Sequence, residues 1–240
     1  MSTVTPSGIL VITGTGTGVG KTIATAAIAA VASAAGASVA VVKPAQTGVR
    51  DADPGSDVPD ADVVTLLSGV TDTHELARFP DPLSPEAAAR TSGLPPLDMT
   101  AAAGYIQKLA AGRDLVLVEG AGGLLVRYDP AGHTLADLAV TLAAPVLVVA
   151  AAGLGTLNHT ALTCEALRNR ALSCAGVVIG SWPRDPGLAD LQNLADLPRV
   201  AGAPVAGIIP EAAGALGRDE FLATARAALT PALGGSRQRP

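Results

Sequence analysis

Aromatic side chains are scarce in this sequence: one Trp, two Tyr and two Phe, or 2% of 240 residues. The hydrophobic share is nevertheless 49%, so the apolar mass is Ala, Val and Leu, which suits helices packed closely on a sheet. Cysteine is nearly absent too. Cys164 and Cys174 are the only two, with no CxxC pair and no His/Cys cluster, which excludes a disulfide framework or a thiolate metal site and leaves a buried pair of reduced thiols. There is no excess of positive charge. The net charge of −5 offers no basic face to nucleic acid. The opening "MSTVTPSGILVITG" has no basic n-region and no cleavage pattern, so no signal peptide is expected and the cytoplasm is the expected location. The longest apolar run, Leu138 to Gly155, is broken by Pro145. It reads as a helix end followed by a buried strand, not as a membrane span.

What is present is a repeating alternation. Continuous apolar runs at Ile9–Thr13, Ser38–Lys43, Leu115–Glu119, Val146–Ala150, Cys174–Ile179 and Val205–Ile209 read as strands covered on both faces. Helical patterns at Lys21–Ala35, Asp60–Ser68, Thr100–Ala111, Thr156–Arg170 and Leu188–Val200 fall between them. This order predicts an α/β fold: a doubly wound, mostly parallel sheet with helices on both faces. One domain over residues 1–230 is expected, with residues 231–240 as a disordered tail. Ligands of such sheets bind beyond the carboxyl ends of the strands, so the residues following each strand are the candidates for chemistry.

"GTGTGVGKT", Gly14 to Thr22, follows the first strand and opens a helix. The common phosphate-loop pattern is Gly, four residues, then Gly-Lys-Ser/Thr. Here Thr15 stands where the first Gly belongs and Gly14 is one residue early, so the loop is lengthened. Backbone N–H groups over Gly16, Thr17, Gly18, Val19, Gly20, Lys21, Thr22 and Ile23 can wrap phosphates at the helix N-terminus. Lys21 can reach the β- and γ-phosphates, and the Thr22 hydroxyl can bind Mg²⁺. Glu119 ends a strand and starts "EGAGG", where a carboxylate can face the loop and hold the metal. Lys43 ends the second strand and faces the γ-phosphate end, or is a surface lysine. Asp60 can reach the metal or cap the helix Ala61–Ser68, with Asp57 and Asp62 as competitors. Both lysine ammonium groups are expected to face solvent.

"GTGTGVGKT", "KPAQTG", "VEGAGG" and "GLGTLNHTALT" occur in this order at the ends of successive strands. Together they resemble the dethiobiotin synthetase family of the P-loop NTPase superfamily, over about Ile9 to Pro210. That family's phosphate loop carries the same extra residue. The resemblance implies an ATP-dependent ring closure, in which 7,8-diaminononanoate and CO2 give a carbamate, then a carbamic–phosphoric anhydride, then dethiobiotin with ADP and phosphate. It implies Lys21, Lys43 and Thr17 as catalytic groups, and Thr22, Asp60 and Glu119 as the Mg²⁺ set. Thr17, Lys43, Thr47 and Gly122 would meet the diamine and carbamate. The substrate carboxylate would meet Gly155, Thr156, Leu157 and Asn158 at a helix N-terminus from a partner subunit, so a homodimer is implied.

Two positions depart from the family. A Glu common inside the loop is Gly18 here, which removes a carboxylate near the phosphates. The Asn that commonly reads adenine is Gly180, in "VVIGSWP". Base contacts are then expected from atoms around Gly180, Ser181, Ile209, Pro210 and Glu211. Broad use of nucleoside triphosphates is expected, with cytosine rivalling adenine. Two other readings lack their signatures. An amide-forming synthetase with a glutaminase domain needs a nucleophilic Cys in a Gly-flanked elbow, and neither Cys164 nor Cys174 has one. A nucleotide-switch ATPase of the partition or site-selection kind carries an extra loop Lys, and that position is Gly16. No Asn-Lys-x-Asp run supports a guanine-reading GTPase.

Overall fold

The computed structural model describes residues 6–49 and 58–238. Strands and helices follow one another as β1 (Gly8–Gly14), α1 (Lys21–Ala34), β2 (Val39–Lys43), β3 (Gln46–Thr47), α2 (Asp60–Ser68), β4 (Thr73–Glu75), β5 (Arg78–Phe79), α3 (Pro85–Ser92), α4 (Met99–Ala110), β6 (Leu115–Gly123), α5 (Leu135–Thr141), β7 (Val146–Ala150), α6 (Thr156–Arg168), β8 (Cys174–Trp182), α7 (Leu188–Ala201), β9 (Val205–Pro210) and α8 (Arg218–Ala228). Seven strands form one sheet in the order β4-β2-β6-β1-β7-β8-β9, and β3 pairs with β5 apart from it. Every strand pairing is parallel. The doubly wound parallel sheet expected from the continuous apolar runs is therefore present.

Both sheet faces are covered, and side chains alternate between them with the period of two that a strand imposes. Val11, Val116 and Val118 point into a core shared with α4, α5 and α6. Leu10, Ile12, Leu115 and Leu117 point into the opposite core, with α1, α2 and α8. Helix α1 is rich in alanine, and Ala24, Ala26, Ala27, Ala29 and Ala32 are at most 1% exposed. Small side chains let this helix lie close to the sheet while α2 and α8 pack over it.

The crossover from β2 through β4 returns to β6, which inserts between β2 and β1. That insertion positions the site. The register sets Val42 beside Val118 and Ile12 beside Glu119. Lys43, Glu119 and the start of the phosphate loop are thereby brought to one level at the carboxyl edge.

Several elements differ from expectation. Strand β6 runs on to Gly123, since the glycine run stays paired with β1 across a register shift between Ile12 and Gly14. Strands β3, β4 and β5 are two or three residues long and lack an apolar run. Helix α8 hides only Phe221, Ala225 and Ala228. Of the expected disordered tail, residues 231–238 are among the described ones. Leu233 is buried in a 3-10 turn, and the Ser236 and Arg237 backbone N–H groups donate to the carbonyls of Arg226 and Leu229 at 2.7 and 2.9 Å. Among the described residues no helix is long and apolar enough to cross a membrane.

Candidate active site

The lengthened loop joins β1 to α1. Gly20 stands at the helix start with φ 91°, a left-handed conformation that favours glycine, and no side chain caps α1. The first N–H groups of α1 thus keep no capping side chain, which is the arrangement that suits an anion. The Lys21 ammonium curls back and donates to the Gly16 carbonyl at 2.9 Å. Burial, and then the charge of Lys43, lower its pKa.

Beside the loop lies a cluster drawn from four elements. The Thr22 hydroxyl is 2.9 Å from Asp60 Oδ1 and 2.9 Å from Glu119 Oε1. The Lys43 ammonium lies 2.5 Å from Asp60 Oδ2 and 2.9 Å from Glu119 Oε1, and donates to the Gly120 carbonyl at 3.2 Å. Glu119 is 1% exposed and Lys43 5% exposed. Both lysines were expected in solvent, and both are buried. For Lys43 the reason is that burial, which alone would lower its pKa, is outweighed by Glu119 and Asp60, which raise it above the ordinary lysine range.

Asp60 is the first residue of α2, and Pro59 takes the capping position, so Asp60 does not act as the helix cap. Its carboxylate points at Lys43 and Thr22 instead. Asp62 is not brought into the cluster, and Asp57 lies outside the described residues. Gln46 was not anticipated. It is 6% exposed; its Oε1 accepts from the Asp60 N–H at 3.1 Å and its Nε2 donates to the Thr47 carbonyl at 3.2 Å. It fixes the entry of α2 relative to β3, and its only signal in the sequence was its place inside "KPAQTG". Another unanticipated support is Tyr128, fully buried, whose hydroxyl accepts from the Ala121 N–H at 2.8 Å and holds the glycine run in place.

A cleft of about 610 Å³ opens over this cluster. Thr17, Gly18, Gly20, Lys21, Thr22 and Ile23 form one wall, and Lys43, Thr47, Asp60, Glu119 and Gly122 another. Pro82, Leu83, Ser84 and Val126 close it and were not singled out from sequence. Gly122 has φ 67°, and a Cβ on it would lie 3.6 Å from the Thr17 hydroxyl and 3.1 Å from Val126. The positive φ and the tight approach to Val126 favour glycine there.

The remaining expected residues lie elsewhere. Gly155, Thr156, Leu157 and Asn158 begin α6 but do not line the cleft. Gly155 has φ 92°, the Thr156 hydroxyl donates to the Ala151 carbonyl at 2.7 Å, and Asn193 donates to the Ala152 and Gly153 carbonyls at 2.8 and 2.9 Å. This pinned turn presents Leu154 at 93% exposure. Gly180 lies under the phosphate loop: a Cβ there would sit 2.1 Å from the Val19 carbonyl oxygen. Ile209 is buried in the core, so only its backbone can face a base. Glu211 accepts from the Arg184 N–H at 2.9 Å. Ser181 is exposed.

Comparison with known proteins follows the same lines. A family model described as "AAA domain" matches residues 9–215. By fold the chain is similar to the site-determining protein MinD from Pyrococcus horikoshii, complexed with Mg-ADP (TM-score 0.55, 15% identity, 95% of each chain), and to a ParA family ATPase from Chlorobium tepidum (TM-score 0.53, 14% identity, 91% and 89% of the two chains). These likenesses show the fold alone. By sequence it is 62% identical to the ATP-dependent dethiobiotin synthetase BioD of Frankia casuarinae over 95% of this chain and 94% of the relative. It is 61% identical to that of Streptomyces avermitilis, again over 95% and 94%, and 58% identical to that of Rhodococcus jostii over 90% and 92%. With relatives this similar along nearly the whole of both chains, and with the lengthened loop, Lys43 and Glu119 assembled around one cleft, the chain belongs to the dethiobiotin synthetase family.

Proposed function

We propose that this chain closes the ureido ring of dethiobiotin from 7,8-diaminononanoate, CO2 and ATP. The observation that carries the reading is the Thr22–Asp60–Glu119–Lys43 cluster at the foot of the Lys21 loop, open to a cleft large enough for a small substrate beside the triphosphate.

One amine nitrogen attacks CO2, loses a proton and becomes a carbamate. A carbamate oxygen attacks the γ-phosphorus, and ADP leaves. The second amine attacks the carbamate carbon and loses a proton, and phosphate leaves with the C–O electrons as the ring closes. Phosphoryl transfer of this kind needs positioning and positive charge more than a protein nucleophile. Lys21 meets the β- and γ-phosphates, Lys43 the carbamate and γ-phosphate. Thr17, Thr47 and Gly122 orient the diamine between them.

The donor set fits Mg²⁺. Two carboxylates and a hydroxyl are hard oxygen ligands, and Mg²⁺ is usually held by one or two carboxylates plus substrate phosphates. Among the described residues no cluster of three His, Cys, Asp or Glu side chains offers a competing metal site. Thr22, Asp60 and Glu119 would hold the ion, which when bound neutralises triphosphate charge.

The substrate carboxylate is assigned to the start of α6, Gly155 to Asn158, from a second copy of the chain. Within one chain this turn does not line the cleft, and a homodimer would bring it there from the second copy. A helix N-terminus with a left-handed glycine is a suitable anion site. Residues 1–230 act as one catalytic domain in the cytoplasm, on small molecules, with no nucleic acid or membrane partner. With Gly180 in place of an amide side chain, the base is met by backbone atoms around Gly180, Ser181, Ile209, Pro210 and Glu211.

Phosphate release tests this reading. It should depend on both diamine and bicarbonate. Equal ATP hydrolysis when the diamine is left out would point instead to a nucleotide switch.

A further inference from the structure

The Lys43 ammonium has three partners, two of which are the carboxylates that the proposed reading gives to the metal. Its partners are Asp60 Oδ2 at 2.5 Å, Glu119 Oε1 at 2.9 Å and the Gly120 carbonyl at 3.2 Å. Glu119 Oε1 is shared: the Thr22 hydroxyl lies 2.9 Å from the same oxygen. The ammonium therefore sits between the two carboxylates that would hold a divalent cation, and it is 5% exposed there. A hard dication binds carboxylate oxygen at about 2.0–2.1 Å. An ammonium on the same oxygens would compete for their lone pairs and repel the ion at close range.

We propose that Lys43 is an internal counter-cation exchanged by the metal: binding of a divalent ion at Thr22, Asp60 and Glu119 releases the Lys43 ammonium from the carboxylates into the cleft. Two consequences follow. Before the metal binds, the carboxylates keep one counter-charge between them, so Glu119 is not left buried and unpaired. The ammonium is also withheld from an anionic substrate until the metal arrives, so Lys43 is delivered to the carbamate only when the metal is in place. Lys21 provides the internal contrast. Its ammonium rests on the Gly16 carbonyl, not on either carboxylate. This inference rests on the assignment of Thr22, Asp60 and Glu119 to the metal.

The test is binding of Mn²⁺, in the absence of any nucleotide, followed by electron paramagnetic resonance. Lys43→Met should bind Mn²⁺ about tenfold or more tightly than the wild type, within the range of coupled sites. Lys21→Met, which removes a charge from the same cleft without touching the carboxylates, should gain far less. Equal gains in the two variants, or none in Lys43→Met, would overturn the exchange. Asp60→Asn separates the two ideas. If it leaves Mn²⁺ binding at wild-type strength, the metal assignment falls and the exchange with it; if it abolishes binding while Lys43→Met gains nothing, the exchange alone falls. Should Lys43→Met not fold, lysine labelled with nitrogen-15 at Nζ gives the reading on the wild-type protein. Added Mg²⁺ should then move the Lys43 ammonium resonance along the binding curve, and a resonance that stays in place would overturn the proposal.

Discussion

A side chain at position 180 should damage the phosphate loop instead of creating an adenine reader. A Cβ built on Gly180 would lie 2.1 Å from the Val19 carbonyl oxygen, 2.7 Å from Val149 Cγ1 and 3.0 Å from Gly20 Cα. The reverse approach is as close: a Cβ on Gly20 would lie 2.6 Å from the Gly180 carbonyl oxygen. Two glycines thus let β8 and the loop touch backbone to backbone. Backbone cannot rotate aside as a flexible side chain can, so the loop must move. Overpacking typically costs about 1–3 kcal/mol, and a backbone clash belongs at the upper end, about 3 kcal/mol. For a chain of this size that lowers Tm by about 6–12 °C. Gly180→Ala and Gly180→Asn should both show it in a thermal melt, with weakened ATP and CTP binding by calorimetry. Gly104→Ala is the control: it lies in helix α4, and nothing stands within 4 Å of its Cβ position. It should leave Tm unchanged or raise it, by about 0.4–1 kcal/mol of stability. If Gly180→Asn kept the wild-type Tm and gained a preference for ATP over CTP, the reasoning from close approach would be refuted.

Other outcomes follow from the same geometry. Lys21→Ala and Lys43→Ala should each lose about 3–4 kcal/mol of transition-state stabilisation, read as kcat/KM. Only Lys43→Ala should also destabilise the fold strongly, by about 3–5 kcal/mol in a denaturant titration, because it strands buried Glu119; unchanged stability would refute the claim that Lys43 holds Glu119 buried. Hydrogen bonding from Cys164 lowers the Cys174 pKa to about 7, whereas the same contact, with burial, drives Cys164 well above the ordinary thiol range. Iodoacetamide at about pH 8 should therefore alkylate Cys174 first, by peptide mass mapping, and preferential labelling of Cys164 would reverse the assignment. His133 Nδ1 lies 2.6 Å from Asp129 Oδ2, and that hydrogen bond raises the His133 pKa above its ordinary 6.5. Burial alone would raise the Asp129 pKa, but the hydrogen bonds from His133 lower it below 3.8. The pair's contribution is then full below the unfolded histidine pKa and above the unfolded Asp value, and is lost as pH rises through the raised His133 pKa. The Tm difference between wild type and His133→Gln should shrink across that rise; a constant difference would contradict it.

The sheet was legible because strands buried on both faces read as continuous apolar runs, and β1, β2, β6, β7, β8 and β9 all have one. β4 has none: its residues Thr73, His74 and Glu75 sit at the sheet edge and are half-buried, so no hydrophobic signal marks them. The strand-end motifs pointed to Lys43 and Glu119 as candidates, but not to their burial. A lysine ending a strand reads as exposed unless its partners are known, and the partners of Lys43 are 17 and 76 positions away, at Asp60 and Glu119. Only the insertion of β6 beside β2 joins them. Gln46 was hidden for a similar reason, since its work is to receive the Asp60 N–H from a helix that begins 14 residues later. The start of α6 was expected to meet an anion from a partner subunit, and within one chain it lies apart from the cleft.

The central claim is most directly tested by following carbon from ¹³C-labelled bicarbonate with 7,8-diaminononanoate, ATP and Mg²⁺. The account predicts one labelled ureido carbon in dethiobiotin for each ADP and each phosphate released. ADP and phosphate formed without a labelled ureido product would contradict it.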